Sequence, residues 1–426
     1  GQYRKVRDIL LADPERRVVV VSAAGKRFPK DNKITDLLYL CYAHTQYGVD
    51  CTRVYDMIVS RYLQIRDELG VKLDLETEFA DLKNRIDAKT VTRDELASRG
   101  EYFSARLMAA YLGFQFIDAV DWVKFNFDGT VDQETTYNAL RERIYGEAGA
   151  VIPGFYGLMP DGHIRTFTRG GSDITGALAA AALDAEVYEN WTDVSGILMA
   201  DPRIVENPQT IPEVTYDELR ELSYSGAQVL HEGTIFPVRE KNIPLNIRNT
   251  NAPEDPGTMI QENFRLDTDP NRFLTGITGK RDFTIISLSK RGMSNQVGVL
   301  RRVLSVLERH NISVDYVPNG IDNVSVVMPT ESVASNLYTI LSEIRQDVEP
   351  DTLDVHDQIA VVAAVGRKMA FRPGISGKIF AALGEAGINI RMINQGPDEL
   401  NIVFGVENRD FQEAIRVLYR SFVNMK

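Results

Sequence analysis

The chain has 426 residues, of which 44% are hydrophobic and 25% charged, and it carries a formal net charge of −12. A chain of this size and composition can bury substantial cores and is predicted to form more than one domain. The acidic balance argues against a nucleic-acid partner, and the absence of an apolar stretch near the roughly 20 residues needed to span a bilayer argues against a membrane protein, so we expect a cytoplasmic location.

Cysteine and histidine are too sparse to predict a metal site. Cys41 and Cys51 are the two cysteines, and neither has a companion at the spacing of metal ligands. The five histidines are scattered along the chain. The sequence therefore predicts two reduced thiols, no metal bound by the protein itself, and no histidine-based catalytic triad.

The first half of the chain alternates helices with apolar runs. Residues 17–22 predict a buried parallel strand, and residues 35–112 a mainly helical region. Further strands are predicted at residues 114–118 and 185–191. Alternation of this kind predicts an α/β fold in which a sheet is sandwiched by helices and the site lies at the carboxyl ends of the strands.

Two features of this region leave alternatives open. Basic residues cluster in a loop at Lys26, Arg27, Lys30 and Lys33, which is either a solvated loop or a lid over anionic ligands. Glu101 opens a helix on an apolar face, and is either a surface acid favoured by the helix dipole or a buried group that binds an ammonium.

A strand-to-helix junction follows a predicted hairpin. Two alternating runs flank Pro160-Asp161-Gly162 and are expected to pair. Beyond them, Arg169-Gly170-Gly171-Ser172-Asp173 precedes an alanine-rich run from Ile174 to Leu183 with high helix propensity. Glycines allow close backbone approach and an arginine can hold a carboxylate in a planar fork, so the junction predicts a site for a small anionic metabolite. The alternative is a capped helix after a glycine turn.

The next segment offers polar groups suited to a nucleotide. Residues 189–197 predict a strand that ends in a polar turn, and Asp201-Pro202-Arg203 follows. From spacing alone, an ordinary strand end followed by an Asp-Pro turn is the interpretation that these residues favour. Residues 250–270 contain three prolines and many polar groups, and we expect a domain boundary there.

The last part of the chain repeats itself. A shift of 76 positions lays residues 283–328 on residues 359–404, with Met293 over Met369, Gly298 over Gly374 and Ile312 over Ile388. Each copy predicts a βαββαβ unit of the ferredoxin-like type.

Several motifs together resemble one family. They are Arg99-Gly100-Glu101, Arg169-Gly170-Gly171-Ser172-Asp173, Thr192-Asp193-Val194-Ser195-Gly196-Ile197, Asp201-Pro202-Arg203 and Ser225-Gly226-Ala227-Gln228-Val229-Leu230-His231. By their order and spacing the chain is identified as a member of the monofunctional aspartate kinases, and its two repeats resemble ACT domains. The resemblance implies a carbamate-kinase-like αβα amino acid kinase domain over residues 1–265 and ferredoxin-like ACT domains over residues 266–352 and 353–426.

The resemblance also implies an activity. Aspartate kinases transfer the γ-phosphoryl group of ATP, with Mg²⁺ carried by the nucleotide, to the β-carboxylate of L-aspartate to give 4-phospho-L-aspartate, the entry to lysine, threonine and methionine biosynthesis. Feedback by lysine, threonine or both, and a homodimer or higher homo-oligomer formed through the ACT domains, are expected. Two alternatives are an inactive amino-acid-sensing regulatory subunit and a related kinase of glutamate.

Roles for individual residues follow from the same resemblance. Glu101 is expected to receive the α-ammonium of aspartate and Arg169 its α-carboxylate, with Thr35 and Ser172 completing the pocket and Asp173 organising the reacting groups beside Arg169. The expected nucleotide contacts are Thr192, Asp193, Leu198, Arg203, Gln228 and Val229. The expected effector-site residues are Met293, Gly298, Val299, Asp315 and Asn323.

Two departures from the family pattern bear on ATP. Gln228 stands where family members usually carry lysine, which removes a positive charge near the nucleotide. The family opens with a strand that reads Lys-Phe-Gly-Gly-Ser/Thr-Ser and supplies a phosphate-contacting lysine, whereas this chain begins at the following helix. We expect the natural protein to carry that segment ahead of Gly1, because phosphoryl transfer depends on positioning and charge neutralisation around the phosphates.

Overall fold

The structure is a computed structural model. It describes residues 1–144, 149–168, 170–227, 230, 232–264, 273–369, 373–396 and 400–423. Within these ranges, no helix combines the length and the apolar character needed to cross a bilayer.

Helices and strands alternate along the chain. The elements up to residue 196 are α1 (Gln2–Leu11), β1 (Val18–Val21), α2 (Ile34–Gln46), α3 (Thr52–Leu69), α4 (Glu76–Asp87), α5 (Arg93–Leu112), β2 (Gln115–Phe116), α6 (Ala119–Trp122), α7 (Gln133–Arg141), β3 (Ala150–Pro153), β4 (Tyr156–Leu158), β5 (Ile164–Thr166), α8 (Gly171–Ala182) and β6 (Tyr188–Thr192). The next are β7 (Glu213–Thr215), α9 (Tyr216–Tyr224), α10 (Glu232–Glu240), β8 (Leu245–Asn249) and β9 (Thr258–Gln261).

The remaining elements form the C-terminal region. They are β10 (Gly276–Ser289), α11 (Val299–Arg309), β11 (Asn323–Pro329), α12 (Thr330–Val333), α13 (Leu337–Val348), β12 (Thr352–Val365), α14 (Ile375–Glu385), β13 (Met392–Asn394), β14 (Asn401–Glu407) and α15 (Phe411–Val423). The chain divides into two compact units, one of residues 1–196 and 230–262 and the other of residues 197–229 and 263–426.

The first unit contains a parallel sheet in the order β1-β3-β2. Because successive side chains of a strand point to opposite faces, its valines divide between two layers. Val19 and Val21 pack with Val151 against Ala105 and its neighbours on α5. On the other face, Val20 and Ile152 pack with residues of α8. The sheet is thus sandwiched by α5 and α8. In the same unit, β8 lies between β6, which runs parallel to it, and β9, which runs antiparallel.

The second unit contains a five-stranded antiparallel sheet in the order β11-β10-β12-β14-β13. Two sets of helices pack on it. Helices α11 and α13 bury Val303 and Ile340 against the half that contains β11, whereas α14 and α15 bury Ile379 and Leu418 against the half that contains β14. Each half is a ferredoxin-like arrangement of helices on a sheet.

The two long strands serve both halves of this sheet. Residues 283–289 of β10 pair with β11 and with the first part of β12, whereas residues 276–280 pair with residues 361–365 near the end of β12. Accordingly, Ile286 belongs to the core of the first half and Ile277 to the core of the second. The repeat found in the sequence therefore corresponds to two halves that are interleaved along β10. The predicted boundary positions at residues 265 and 352 stay predictions.

Several expectations about elements are confirmed. The hairpin forms, because β4 pairs antiparallel with β5. The 76-residue shift maps α11 onto α14 from end to end. The fold class is confirmed as an αβα sandwich followed along the chain by two ferredoxin-like units.

Candidate functional site

The candidate site of the first unit begins where two parallel strands end. Val21 of β1 lies beside Pro153 of β3 in the parallel register, and the Gly154 N–H donates to the Val21 carbonyl at 3.0 Å. The chain therefore leaves both strands at one edge of the sheet. In open α/β sheets this is the edge where ligands bind.

Glu101 on α5 is buried next to the segment that follows β1. Its side chain is 6% exposed, and no hydrogen-bond partner of Oε2 is found among the described residues. Burial raises the pKa of Glu101 to about 7, although backbone N–H groups of Ala23 and of Glu101 itself favour the charged form. Glu101 lies inside α5, which begins at Arg93, so the prediction that it opens a helix is wrong. Of the two interpretations of Glu101, the structure favours the buried group. A carboxylate in this state is under-satisfied and is suited to a cationic ligand.

Gly100 allows α5 to approach the strand end closely. A β-carbon at this position would lie 2.9 Å from Cβ of Ala23 and 3.3 Å from Cγ2 of Ile34. Ile34 is the first residue of α2, and Thr35 follows it, half-buried, in the first turn. Glu101 and Thr35 thus belong to elements that meet at Gly100.

Tyr62 supports this arrangement and was missed by the sequence analysis. Its hydroxyl donates to the Gly100 carbonyl at 2.7 Å and accepts from the Ala24 N–H at 3.5 Å. The side chain therefore ties α5 to the segment after β1. No local pattern marks it, because its partners lie 38 residues away in each direction.

The basic loop between β1 and α2 is anchored by an acid. Asp31 accepts from Nη2 of Arg61 at 2.8 Å and from Nε of Arg27 at 3.0 Å, and Arg61 is only 2% exposed. Hydrogen bonds from Arg27, and the charge of Arg61, hold the pKa of Asp31 well below its usual range. The loop is therefore fastened to α3 at Asp31, which lies four positions before Thr35.

The N-terminus of α8 lies beside the end of β3. A β-carbon on Gly154 would lie 2.6 Å from Oγ of Ser172, and one on Gly171 would lie 2.6 Å from the ring of Phe155. Gly170 caps the helix with φ of 58°, without a side-chain cap hydrogen bond. Gly154 and Gly171 thus allow these two segments to pack closely, and the expected approach of the backbone to a ligand stays a prediction. Ser172 is half-buried at this edge, and Arg169 lies outside the described residues.

Asp173 lies in the first turn of α8 and is held by β6. The Nδ2 group of Asn190 donates to Oδ1 of Asp173 at 2.9 Å, and the Tyr188 hydroxyl donates to its backbone carbonyl at 3.1 Å. Burial raises the pKa of Asp173, and the hydrogen bond from Asn190 opposes that rise. Asn190 was not singled out from sequence, although its place two residues from Tyr188 puts both on one face of β6.

Thr192 and Asp193 occupy the end of β6. Oγ1 of Thr192 donates to Oδ1 of Asp193 at 3.2 Å, and Asp193 is exposed. Asp173 is thus bound to β6 through Asn190, and Thr192 is the last residue of the same strand.

The other residues predicted to bind the nucleotide either belong to the second unit or lie outside the residues that the structure describes. Leu198 is half-buried and pairs with Thr210 in an isolated bridge. Arg203 is 82% exposed and pairs with Asp201 at 2.6 Å. Gln228 and Val229 lie outside the described residues.

The predicted effector residues lie in and around the first half of the five-stranded sheet. Met293 occupies a short 3-10 turn, Gly298 caps α11 with φ of 79°, and Val299 is buried at the start of that helix. Asp315 borders β11 through its backbone and, with burial as the main cause, helps raise the pKa of Tyr224 to about 12. Asn323 opens β11 beside Gly320. Asp315 thus faces α9.

Over the described ranges there is no cluster of three or more histidine, cysteine, aspartate or glutamate side chains placed to hold a metal ion. Mg²⁺ is commonly bound through phosphates with one or two carboxylates, and two carboxylates near β6 are those of Asp173, which contacts Asn190, and Asp193, which follows the strand.

Known proteins match nearly the whole of this chain. A model of the amino acid kinase family matches residues 3–249, and a model of an ACT domain matches residues 362–422. Aspartokinase 3 of Bacillus subtilis is 34% identical over an alignment that covers 99% of this chain and 95% of that protein.

Solved structures give the same result. The aspartate kinase of Clostridium acetobutylicum is 44% identical with a TM-score of 0.90, covering 99% of this chain and 96% of that one. E. coli aspartokinase III in complex with aspartate and ADP is 26% identical with a TM-score of 0.72, over 99% and 96% of the two chains. The same enzyme in complex with lysine and aspartate is 27% identical with a TM-score of 0.70 and the same coverage.

Proposed function

The chain belongs to the aspartate kinases of the amino acid kinase family, and from this premise we propose that L-aspartate binds in the first unit between Thr35, Glu101 and the N-terminus of α8. The observation that carries this proposal is the buried Oε2 of Glu101, for which no partner is found among the described residues. An α-ammonium placed there would supply the missing donor and a compensating charge.

The opposite end of the amino acid fits the start of α8. The first N–H groups of a helix are unsatisfied within it and, together with the helix dipole, attract anions. Ser172 adds a hydroxyl at that position. We assign the α-carboxylate of aspartate to this end, with Arg169 as its second contact on the strength of the family resemblance.

The chemistry requires positioning more than acid-base catalysis. The β-carboxylate of aspartate is already ionised near neutral pH, so one of its oxygens attacks the γ-phosphorus directly and ADP leaves. Asp173, fixed by Asn190, is proposed to orient the reacting groups. The contribution of Mg²⁺, when bound with ATP, is neutralisation of phosphate charge.

Nucleotide contacts are proposed at Thr192 and Asp193 in the first unit. The resemblance extends this proposal to Leu198, Arg203, Gln228 and Val229. E. coli aspartokinase III, which has been solved with aspartate and ADP, supports the use of both ligands by this chain.

Feedback control is proposed to act through the ACT domains. The complex of E. coli aspartokinase III with lysine favours lysine as effector, and threonine remains the alternative. We place the effector near Met293, Gly298, Val299, Asp315 and Asn323, and we propose a homodimer formed through the ACT sheets.

The two free, buried cysteines support a cytoplasmic location.

The proposed substrate is tested by trapping acyl phosphate with hydroxylamine in the presence of ATP. Product is expected with L-aspartate and not with L-glutamate, and lysine or threonine is expected to suppress it. The assay should include a version preceded by the family's Lys-Phe-Gly-Gly strand. Turnover of glutamate would point to a different acid as substrate, and amino-acid binding without turnover in either version would identify a sensor subunit.

Replacing Asp173 with asparagine tests its proposed role. We expect kcat to fall about 100-fold while KM for aspartate changes little, because the amide keeps the shape but removes a charge that acts on the reacting groups. The control is Asp161→Asn, an exposed acid in the β4–β5 turn. A rise in KM for aspartate with unchanged kcat would instead make Asp173 a ground-state binding residue.

A further inference from the structure

The turn after β6 is held from one side by the loop between β8 and β9, residues 250–257. Both the backbone N–H and Oγ1 of Thr250 donate to the Thr192 carbonyl, at 2.8 and 2.9 Å. Two donors on one carbonyl fix the direction in which β6 ends. Thr192, whose carbonyl is fixed in this way, is one of the proposed nucleotide-binding residues.

A second attachment lies three residues further on. Oγ of Ser195 donates to Oδ2 of Asp255 at 2.5 Å and accepts from Nδ2 of Asn249 at 2.9 Å. Ser195 is half-buried, so both bonds are partly shielded from water. The two attachments, at Thr192 and Ser195, bracket Asp193.

The loop is itself held in one conformation. The Asn251 N–H donates to Oδ1 of Asn249 at 2.8 Å, the Asp255 N–H donates to the Ala252 carbonyl at 3.1 Å, and Nη2 of Arg248 donates to the Pro253 carbonyl at 2.7 Å. Because these bonds lie within the loop and its flanking strand, the loop can act as a rigid support for the turn.

We propose that this loop positions the nucleotide-binding turn and that Asp255 is its principal positioning residue. The inference rests on the proposed nucleotide role of Thr192 and Asp193. Asp255 itself needs no contact with ATP, because it acts through Ser195. Its removal leaves Ser195 with one partner fewer and frees the C-terminal side of the turn, whereas the aspartate site around Glu101 is built from other elements.

The test compares Asp255→Ala, Asp255→Asn and Glu254→Ala, the last being an exposed neighbour in the same loop. Asp255→Ala is expected to raise KM for ATP and Kd for ADP about tenfold, the order expected for loss of a hydrogen bond to a charged group. KM for aspartate should stay within about twofold. Asp255→Asn should restore most of the ATP affinity, because its amide oxygen still accepts from Ser195, and Glu254→Ala should resemble the parent.

Asp193→Asn separates this inference from the proposed function. If Asp193→Asn weakens ADP binding and Asp255→Ala does not, the loop is not a positioning element although the nucleotide site is correct. If Asp193→Asn has no effect, the proposed nucleotide site is itself wrong. Equal losses for ATP and aspartate in Asp255→Ala, with a lower melting temperature, would reduce the loop to a general contribution to stability and overturn the inference.

Discussion

Replacing Glu101 with glutamine is expected to lower kcat/KM for L-aspartate by about 10²- to 10³-fold, with most of the loss in KM. Removing one partner of a buried charge pair costs about 2 to 5 kcal/mol, and the neutral glutamine amide cannot form an ion pair with an ammonium. Steady-state kinetics with aspartate as the varied substrate measure the effect. Glu95→Gln on the same helix, whose carboxylate pairs with Arg85, is the matched control.

The pH dependence provides a second signature of Glu101. Its pKa is raised to about 7, so in the free enzyme the carboxyl becomes protonated below that pH and can no longer bind an ammonium. kcat/KM for aspartate should therefore fall as pH decreases through about 7. In Glu101→Gln this fall should disappear. An unchanged pH profile in the variant would show that another group titrates.

Whereas kcat/KM should fall as pH decreases, the free energy of unfolding linked to Glu101 should rise. Because the folded-state pKa of Glu101 is raised from 4.5 to about 7, the stabilisation linked to its protonation is complete below pH 4.5 and is lost as pH rises through about 7. At pH 8 the free enzyme therefore carries a buried, unpaired charge, and Glu101→Gln should have the higher melting temperature. The difference should shrink as pH decreases from 7 to 4.5.

Replacing Glu218 with alanine is expected to destabilise the second unit by about 3 kcal/mol, because donors of Thr215, Thr275 and Arg367 lose their buried acceptor. Glu218 is fully buried. Its Oε2 accepts from Nη1 of Arg367 at 2.7 Å and from the Thr215 N–H at 2.8 Å, and its Oε1 accepts from Oγ1 of Thr275 at 2.5 Å. Chemical denaturation measures the loss.

A double-mutant cycle with Arg367→Ala distinguishes the ion pair from the cap. If the ion pair between Glu218 and Arg367 dominates, the double variant should lose much less stability than the sum of the losses in the two single variants. Glu218 also closes a capping box with Thr215 at the start of α9, and that part should be kept in Glu218→Gln. Strict additivity of the two changes would argue against coupling between these side chains.

The pKa of Glu218 shifts in the opposite direction from that of Glu101. Burial alone would raise it, but hydrogen bonds from Thr215, Thr275 and Arg367, together with the charge of Arg367, lower it below its usual value. The stabilisation is therefore present above the unfolded-state pKa and is lost as pH falls through the folded-state value. The two buried glutamates thus differ: Glu218 accepts hydrogen bonds at both carboxylate oxygens, whereas no partner is found for Oε2 of Glu101 among the described residues.

Sequence could not distinguish these two glutamates by burial alone. Glu218 satisfies a local rule, because Thr215 three residues earlier forms a capping box, but Arg367 lies 149 positions away. Glu101 was recognised by its motif, and sequence left its burial open. What decides the state of each is the set of donors brought in by tertiary structure, which no local pattern contains.

Local patterns did predict the elements on which the site is built. The turn at Pro160-Asp161-Gly162, the alanine-rich α8 and the apolar β1 follow from short-range rules and all form. The supports of the site could not be found in this way, because they join distant segments. Tyr62 contacts Gly100, Asn190 contacts Asp173 and Thr250 contacts Thr192, at separations of 38, 17 and 58 residues.

The interleaving along β10 also limits how this gene could be divided. A polypeptide that starts after residue 352 would hold α14, β13, β14 and α15, but it would lack residues 276–280, which pair with residues 361–365. It would expose a strand edge, which promotes aggregation. A fragment that starts just before β10 keeps every partner of the five-stranded sheet together. If the C-terminal region is to be expressed separately or exchanged between proteins, both halves of the five-stranded sheet therefore have to be kept in one fragment.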